Sequence, residues 1–167
     1  GMLRLAGFQD LPAGSTLLDP LCGSGTIPIE AASLRSDVEL SASDWDPRAV
    51  EGTRSNAQAA GYASRVQTRE GNDLEMDATW GSGSASLIVT NPPFGVRMAK
   101  DTNMLGFYSR FLEAARETLL EGGRLVVLVG KKRKLFNSAV QRLDDWNIVH
   151  VRIVEFGGIY PGIFVLE

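Results

Sequence analysis

Four polar side chains follow four different predicted strands, and their types could bind a small ligand. They are Asp19, Asp44, Asp73 and Asn91. The carboxyl ends of parallel strands meet at one edge of a doubly wound sheet, and ligands bind there beside the first strand. Asp44 comes 25 positions after Asp19, near the spacing of about 20 residues at which an acid accepts hydrogen bonds from ribose hydroxyls. These residues therefore predict a site for a ligand that contains ribose.

A strand, a tight turn and a helix are predicted around the sequence LLDPLCGSGT, residues 17–26. Gly23 and Gly25 lie in the turn, where the absence of a Cβ lets the backbone approach a phosphate or a sugar. The third glycine of a dinucleotide fingerprint would fall at Pro28, which argues against NAD. The pattern favours an adenosyl ligand without a pyrophosphate, although Asp19 could instead only cap the turn.

The sequence Asn-Pro-Pro-Phe, Asn91 to Phe94, could activate an amine. An exocyclic amine on a nucleobase is a poor nucleophile because its lone pair is delocalised into the ring. The side-chain oxygen of Asn91 and the carbonyl of Pro92 can each accept one N–H and free that pair. Pro92 and Pro93 stiffen the acceptors, and Phe94 can stack on the base. The alternative is a simple strand-ending turn, which Asn-Pro commonly begins.

Strands and helices alternate along the chain, which predicts an α/β fold with helices on both faces of a mostly parallel sheet. The last two strands are separated by only five residues, 157–161, so they should form an antiparallel hairpin with one reversed strand at the end of the sheet. We predict a Rossmann-like, doubly wound sheet of seven strands and a single domain over residues 2–167. The predicted strands are Thr16–Asp19, Val38–Ser43, Arg65–Arg69, Ala85–Thr90, Arg124–Val129, Ile148–Phe156 and Gly162–Leu166.

Composition limits the function further. The 167 residues contain one cysteine, Cys22, and one histidine, His150, so no Cys/His metal cluster can form. No apolar run is long enough to cross a bilayer and no signal peptide is evident, so we predict a cytoplasmic protein without a membrane partner. The net charge of −3 argues against a protein that holds nucleic acid over its whole surface. The basic run Lys131 to Lys134 could contact phosphates or be a solvated loop.

The segments DPLCGSGT, SDWDP, GND and NPPFG, in this order and spacing, resemble the class I S-adenosylmethionine-dependent methyltransferases that methylate amino groups. DPLCGSGTIPIEAA and TNPPFGVR resemble more narrowly the catalytic domain of the THUMP-associated RNA guanine-N2 methyltransferases. The resemblance covers nearly the whole chain. It implies S-adenosylmethionine as cofactor and methyl transfer to guanine N2 in tRNA or rRNA. A base within a duplex could not reach the site, so the substrate should be single-stranded or flipped out.

The resemblance also implies roles for single residues. Asp19, Gly23 and Gly25 would surround the methionine part, Asp44 the ribose and Asp73 the adenine amino group. The full set of candidate cofactor-binding residues is Asp19, Pro20, Cys22, Gly23, Gly25, Thr26, Asp44, Trp45, Asn72 and Asp73.

Two features flank these candidates. The indole of Trp45 could lie against a purine ring or pack in the core. Arg97 matches an arginine of the family and could contact a phosphate or a guanine edge, or be an ordinary surface residue. Residues 96–104 are predicted to form a lid over the substrate.

Other interpretations stay open. The same acceptors could hold the N6 amine of adenine in DNA or RNA, or the amide of a protein glutamine. A non-catalytic cofactor-binding subunit is a further hypothesis, favoured by the acidic charge. The THUMP and ferredoxin-like segments of the family do not occur upstream of Leu3, so we expect a separate RNA-recognition domain or subunit. His150 is expected to be a bystander, because methylation itself makes the amine proton acidic and no strong base is needed.

Overall fold

The structure is a computed structural model that describes residues 1–92, 103–155 and 157–167. Its centre is a seven-stranded sheet in the order β3-β2-β1-β4-β5-β7-β6. The strands are β1 Thr16–Asp19, β2 Glu39–Asp44, β3 Val66–Glu70, β4 Ala85–Thr90, β5 Leu119–Val129, β6 Ile148–Ile153 and β7 Gly162–Leu166. The α-helices are α1 Met2–Leu5, α2 Thr26–Leu34, α3 Pro47–Ala59, α4 Met76–Trp80, α5 Met104–Thr118 and α6 Arg133–Arg142, and two 3-10 turns are Phe8–Asp10 and Asp73–Glu75.

Strands β1 to β5 are parallel, and β7 runs antiparallel to both of its neighbours. The chain order reverses between β1 and β4, which makes this the switch point where a ligand crevice opens at the carboxyl ends. The predicted fold class and the antiparallel hairpin are confirmed. The expected place of the reversed strand was wrong, because β7 lies between β5 and β6. All five residues of β7 are buried and need neighbours on both sides, whereas β6 is mostly exposed and suits the edge.

Strands β2 and β3 are each shifted by one residue from the prediction, and three other element boundaries differ more. β5 begins at Leu119, five residues before the predicted Arg124, because Leu119 pairs with Ala85 across an irregularity in the register. Helix α6 begins at Arg133, so the basic run continues into a helical first turn and is not entirely a loop. β6 ends at Ile153, and residue 156, where its end was predicted, lies outside the described residues.

Two apolar layers cover the sheet. Helices α4, α5 and α6 pack on one face, and α1 and α2 pack on the other, where α3 also lies against α2 and the outer strands. Within the described ranges, no helix is long and apolar enough to cross a membrane. The layers leave the carboxyl edge of the sheet open, and the polar strand ends lie there.

The ring of Phe136 joins α6 to the rest of the core. It is fully buried and meets Tyr108 of α5 edge-on at 5.3 Å between centroids and Phe164 of β7 at 5.0 Å. We expect Phe136→Ala to lower the free energy of unfolding by about 3 to 5 kcal/mol, because it removes these contacts and leaves a cavity. Denaturant unfolding measures the change, with the exposed Ser138→Ala on the same helix as the control. A loss below about 1 kcal/mol would contradict this packing role.

Candidate active site

A cavity of about 430 Å³ opens at the carboxyl ends of β1, β2 and β4. This volume is within the range of ordinary small-ligand sites. Its lining includes six of the residues proposed from sequence, namely Asp19, Cys22, Gly23, Thr26, Asp44 and Asn91. It also includes residues that the sequence did not point to, among them Met2 and Leu3 of α1 and Glu30 of α2. The structure thus brings the glycine turn, two acids and the asparagine around one space.

Helix α3 holds the glycine turn in shape. The Thr53 hydroxyl donates to the Gly23 carbonyl at 3.0 Å, and the Asn56 amide nitrogen donates to the Ser24 carbonyl at 2.9 Å. Gly25 has a φ of +82°, and a Cβ there would lie 2.8 Å from Cγ2 of Thr53. Sequence analysis missed Thr53 and Asn56, because helical periodicity shows which residues face inward and not which turn they meet.

Asp44 ties the turn after β1 to the end of β2. Its Oδ2 accepts the Gly23 amide at 3.1 Å and its Oδ1 accepts the Asp46 amide at 3.0 Å. The side chain is buried, so these two backbone donors fix the direction of the carboxylate. An orientated acceptor at this position suits ribose hydroxyls, which donate hydrogen bonds.

Asp19 is buried beneath the cavity at the end of β1. Its Oδ1 accepts the Thr90 hydroxyl at 2.7 Å and the Leu21 amide at 3.2 Å. Burial raises the pKa of this carboxyl from 3.8 to about 7, and the nearby Asp44 adds to the rise. A cation beside Asp19 would stabilise the ionised carboxylate, which burial otherwise disfavours. Thr90, on the neighbouring strand, is a positioning residue that sequence reasoning missed.

Cys22 is a structural part of the turn. Its amide donates to the Ser43 carbonyl at 2.9 Å, and its Sγ lies 3.4 Å from Oγ1 of Thr53. Burial raises the pKa of the thiol to about 12, so the thiol stays neutral and is not a nucleophile. Pro20, before it, is also buried.

Three candidates lie at the same edge but off the cavity lining. Trp45 is 52% exposed, which excludes the core-packing alternative and leaves its ring accessible to a purine. Asp73 is buried in the 3-10 turn after β3. Asn72 is exposed, and its side chain caps that turn by accepting the Leu74 amide at 3.0 Å. Their roles toward a ligand stay predictions.

Asn91 is exposed at the end of β4 and lines the cavity, while Pro92 is buried directly after it. Pro93, Phe94, Arg97 and the predicted lid up to residue 102 lie outside the described residues. Among the residues described, no group of three or more His, Cys, Asp or Glu side chains could hold a metal ion. The described part of the site thus combines hydrogen-bond acceptors with an open glycine turn.

Comparison with known proteins agrees with this architecture. A model of the family described as UPF0020, the RMKL-like methyltransferase domain, matches residues 1–161. The chain belongs to this family. It is an S-adenosylmethionine-dependent methyltransferase domain with the Rossmann-like α/β fold.

Two curated relatives and one solved structure show the likeness in detail. The tRNA (guanine(6)-N2)-methyltransferase of Archaeoglobus fulgidus is 32% identical over 190 residues, which cover 99% of this chain and 46% of the relative. The tRNA (guanine(10)-N2)-dimethyltransferase of Methanothermobacter thermautotrophicus is 36% identical over 126 residues, which cover 74% of this chain and 34% of the relative. The crystal structure of TrmN from Thermus thermophilus aligns with a TM-score of 0.85 at 32% identity, over 99% of this chain and 46% of that one. This methyltransferase domain therefore spans less than half the length of these proteins.

The described residues of the methyltransferase domain fit S-adenosylmethionine. A Cβ at Gly23 would meet no atom within 4 Å, so the turn leaves open space on the cavity side of α3. Asp44 and Asp19 present acceptors toward the same space. Acceptors for hydroxyls and a buried carboxyl for a cation match the ribose and the charged end of this cofactor.

The raised pKa of Asp19 makes the stability of the domain depend on pH. The folded chain keeps this proton up to about pH 7, whereas the unfolded chain loses it near 3.8. The contribution of Asp19 to the free energy of unfolding should therefore fall by about 4 kcal/mol as the pH rises through this window, and then stay constant. Asp19→Asn, which resembles the protonated acid, should match the unsubstituted domain near pH 4 and exceed it near pH 8. Denaturant unfolding across the window measures this, and equal stabilities at both ends would contradict it.

Gly23 and Gly25 both have a positive φ but have different surroundings. We expect Gly25→Ala to lower the free energy of unfolding by about 2 to 4 kcal/mol, since the methyl group meets Thr53 in addition to the backbone strain. Gly23→Ala has only the strain, about 1 to 2 kcal/mol. Denaturant unfolding of the two variants isolates the contact with α3, and equal losses would show that Thr53 does not restrict the turn.

Proposed function

We propose that this domain transfers a methyl group from S-adenosylmethionine to N2 of a guanine in RNA, with tRNA as the substrate class. The observation that carries the proposal is the position of Asn91, whose side chain lines the same cavity as Asp44 and the glycine turn. An acceptor for amine hydrogens therefore stands at the boundary of the proposed cofactor space. The names of the tRNA guanine-N2 methyltransferases among the relatives support guanine as the base.

The acceptors at the end of β4 activate and orient the amine. The Asn91 oxygen would accept one N–H of the exocyclic amine and the Pro92 carbonyl the other, which turns the nitrogen lone pair toward the cavity. Pro92 is buried directly after Asn91, and its ring fixes the backbone φ at this position. When bound, the cofactor supplies a methyl group on a sulfonium, which is a good leaving group. The chain thus contributes positioning and a matched hydrogen-bond environment.

The domain needs no strong base for this reaction. Methylation makes the amine nitrogen cationic, so its proton becomes acidic and can pass to water. His150 lies exposed on β6 and does not line this cavity, and we expect it to be a bystander. Burial raises the pKa of the Cys22 thiol to about 12, so this thiol does not act as the base.

The cofactor roles of the remaining candidates are part of the proposal. Asp44 would accept the ribose hydroxyls, and Asp19 would stand beside the methionine end. Asp73 and the exposed Trp45 lie at the ends of β3 and β2, on the side of the cavity away from Asn91. This is the side where an adenine ring would lie if the methyl group points to β4.

Partners follow from the same proposal. The relatives are more than twice as long as the part that matches this chain, so RNA recognition could include a further domain or subunit. The target guanine would enter single-stranded or flipped out. The enzyme would act with its tRNA substrate in the cytoplasm, where the sequence analysis placed it.

Product analysis tests the proposal. The 167-residue chain is incubated with labelled S-adenosylmethionine and, separately, with unmodified tRNA, single-stranded DNA and a glutamine peptide, and the products are hydrolysed and separated. N2-methylguanosine from RNA is expected. N6-methyladenosine as the sole product, or label in the peptide alone, would contradict the guanine assignment. Binding of S-adenosylhomocysteine with no transfer to any acceptor would favour a non-catalytic cofactor-binding subunit.

Asn91→Ala tests the mechanism directly. We expect a loss of about 100-fold or more in kcat, because one acceptor of the amine is gone, while calorimetry shows unchanged binding of S-adenosylhomocysteine. Asn91→Asp retains an acceptor oxygen and should keep more activity than the alanine variant. Asn147→Ala, an exposed asparagine before β6, is the matched control. Unchanged turnover in Asn91→Ala would reject the proposed role.

A further inference from the structure

A basic run follows β5, the strand next to the one that carries Asn91. It consists of Lys131, Lys132, Arg133 and Lys134. Thr90 pairs with Val127, so Asn91 is level with Leu128 and the run begins just beyond the end of β5. Neighbouring strands are about 4.8 Å apart, and the three residues from Leu128 to Lys131 add at most about 10 Å, so the run begins within about 15 Å of Asn91. The run is therefore close enough to contact the nucleotides beside a base held at Asn91.

The strand order fixes on which side of Asn91 the run lies. The residues proposed for the cofactor end β1, β2 and β3, on one side of β4, and the run follows β5 on the other side. The amine that receives the methyl group must approach on the side away from the cofactor. The run thus borders the approach path of the acceptor.

The four cations have no anionic partner in the part of the chain that the structure describes. Across residues 1–92, 103–155 and 157–167, none of their side chains forms an ion pair or a hydrogen bond. They also stand at the beginning of α6, whose first turn has no acidic residue and no side-chain cap. Positive charge at a helix N-terminus is unfavourable, so the run destabilises the helix unless an anion lies against it.

An accessible aromatic ring lies two residues before the point where β7 approaches the run. Tyr160, in the connection between β6 and β7, is 55% exposed. The connection is held by the Val154 amide, which donates to the Pro161 carbonyl at 3.0 Å. Gly162, two residues after Tyr160 at the start of β7, lies close to the run, since a Cβ there would be 3.0 Å from Cδ of Arg133. Cations combined with an exposed aromatic ring are typical of surfaces that bind single-stranded nucleic acid, where phosphates meet the cations and a base stacks on the ring.

We propose that the basic run and Tyr160 bind a single-stranded segment of the RNA substrate next to the target guanine, with phosphates on the run and a neighbouring base on the tyrosine. The proposal rests on the proposed function for the identity of the polymer. It explains how a chain of net charge −3 holds RNA locally at its reaction site. Phosphate contacts carry no sequence information, so this surface positions the strand and does not select the base.

The test uses the 167-residue chain and a fluorescent single-stranded RNA 12-mer with one guanine, at about 50 mM salt and above. Lys131→Gln/Lys132→Gln/Lys134→Gln should weaken RNA binding about tenfold and lower the slope of log affinity against log salt by about two. Its melting temperature should stay the same or rise, because the charges at the helix N-terminus are removed. The affinity for S-adenosylhomocysteine should not change, and KM for RNA should rise while kcat at saturating RNA is kept.

Matched single variants distinguish local contacts between the run and RNA from a general effect of net charge on RNA binding. Lys134→Gln changes the first turn of α6, and Arg142→Gln removes one charge from the last turn of the same helix. Only the first should weaken RNA binding. Tyr160→Leu should also weaken it without changing the salt slope, since stacking is lost and no phosphate contact is removed.

The outcomes distinguish the two proposals. Three outcomes would each overturn the proposed RNA-binding surface. They are absence of RNA binding by the unsubstituted chain at low salt, equal effects of Lys134→Gln and Arg142→Gln on RNA binding, and methylation by the triple variant with an unchanged KM for RNA. Binding that depends on the run, together with no methyl transfer to any nucleoside, would support the surface and overturn the proposed function.

Discussion

The hydrogen bond from the Gly23 amide to the Asp44 carboxylate is the interaction on which the site depends. It joins the turn after β1 to the end of β2, and the Thr53 hydroxyl supports the same turn from α3. Three elements that are separate in sequence thereby fix one loop. Because these hydrogen bonds come from the protein itself, the loop has its conformation before a ligand binds. Such preorganisation lowers the ordering cost of binding.

A second constraint is the burial of Asp19 at the end of β1. Asp19 receives hydrogen bonds from Leu21 and Thr90, yet burial keeps its pKa near 7. The fold therefore holds a carboxyl whose ionised form is costly until a cation approaches. If the charged methionine end of the cofactor lies beside Asp19, as we propose, this cost would favour the bound state. The domain without ligand should be less stable at high pH.

The order of the strands divides the carboxyl edge by function. The proposed cofactor residues end β1 to β3, the amine acceptor ends β4, and the basic run follows β5. Under the proposed function, this division would let an acidic chain act on RNA, since charge of opposite sign is needed only where the RNA strand lies. No residue of β5 or β6 lines the cavity, because both strands lie beyond β4 in the sheet.

The sequence determined the class of fold and pointed to six of the residues that line the cavity. Apolar runs alternating with helical patterns gave the parallel sheet, and each acid at a strand end marked the ligand edge, because in parallel strands these ends must meet. Local patterns also identified the hairpin of β6 and β7. They could not place β7 inside the sheet, since the choice of neighbour depends on which strand can be buried on both sides.

Tertiary structure alone decided which side chains act together. Thr53 and Asn56 hydrogen-bond to the glycine turn from 30 and 32 residues away in sequence, and Thr90 hydrogen-bonds to Asp19 from 71 residues away. No local sequence pattern indicates contacts at such separations. Packing likewise determined the exposure of Trp45 and the absence of ion pairs between the basic run and the other described residues. Sequence periodicity reports which face of an element is buried, whereas hydrogen-bond partners and pKa shifts depend on distances and burial that exist only after the elements have packed.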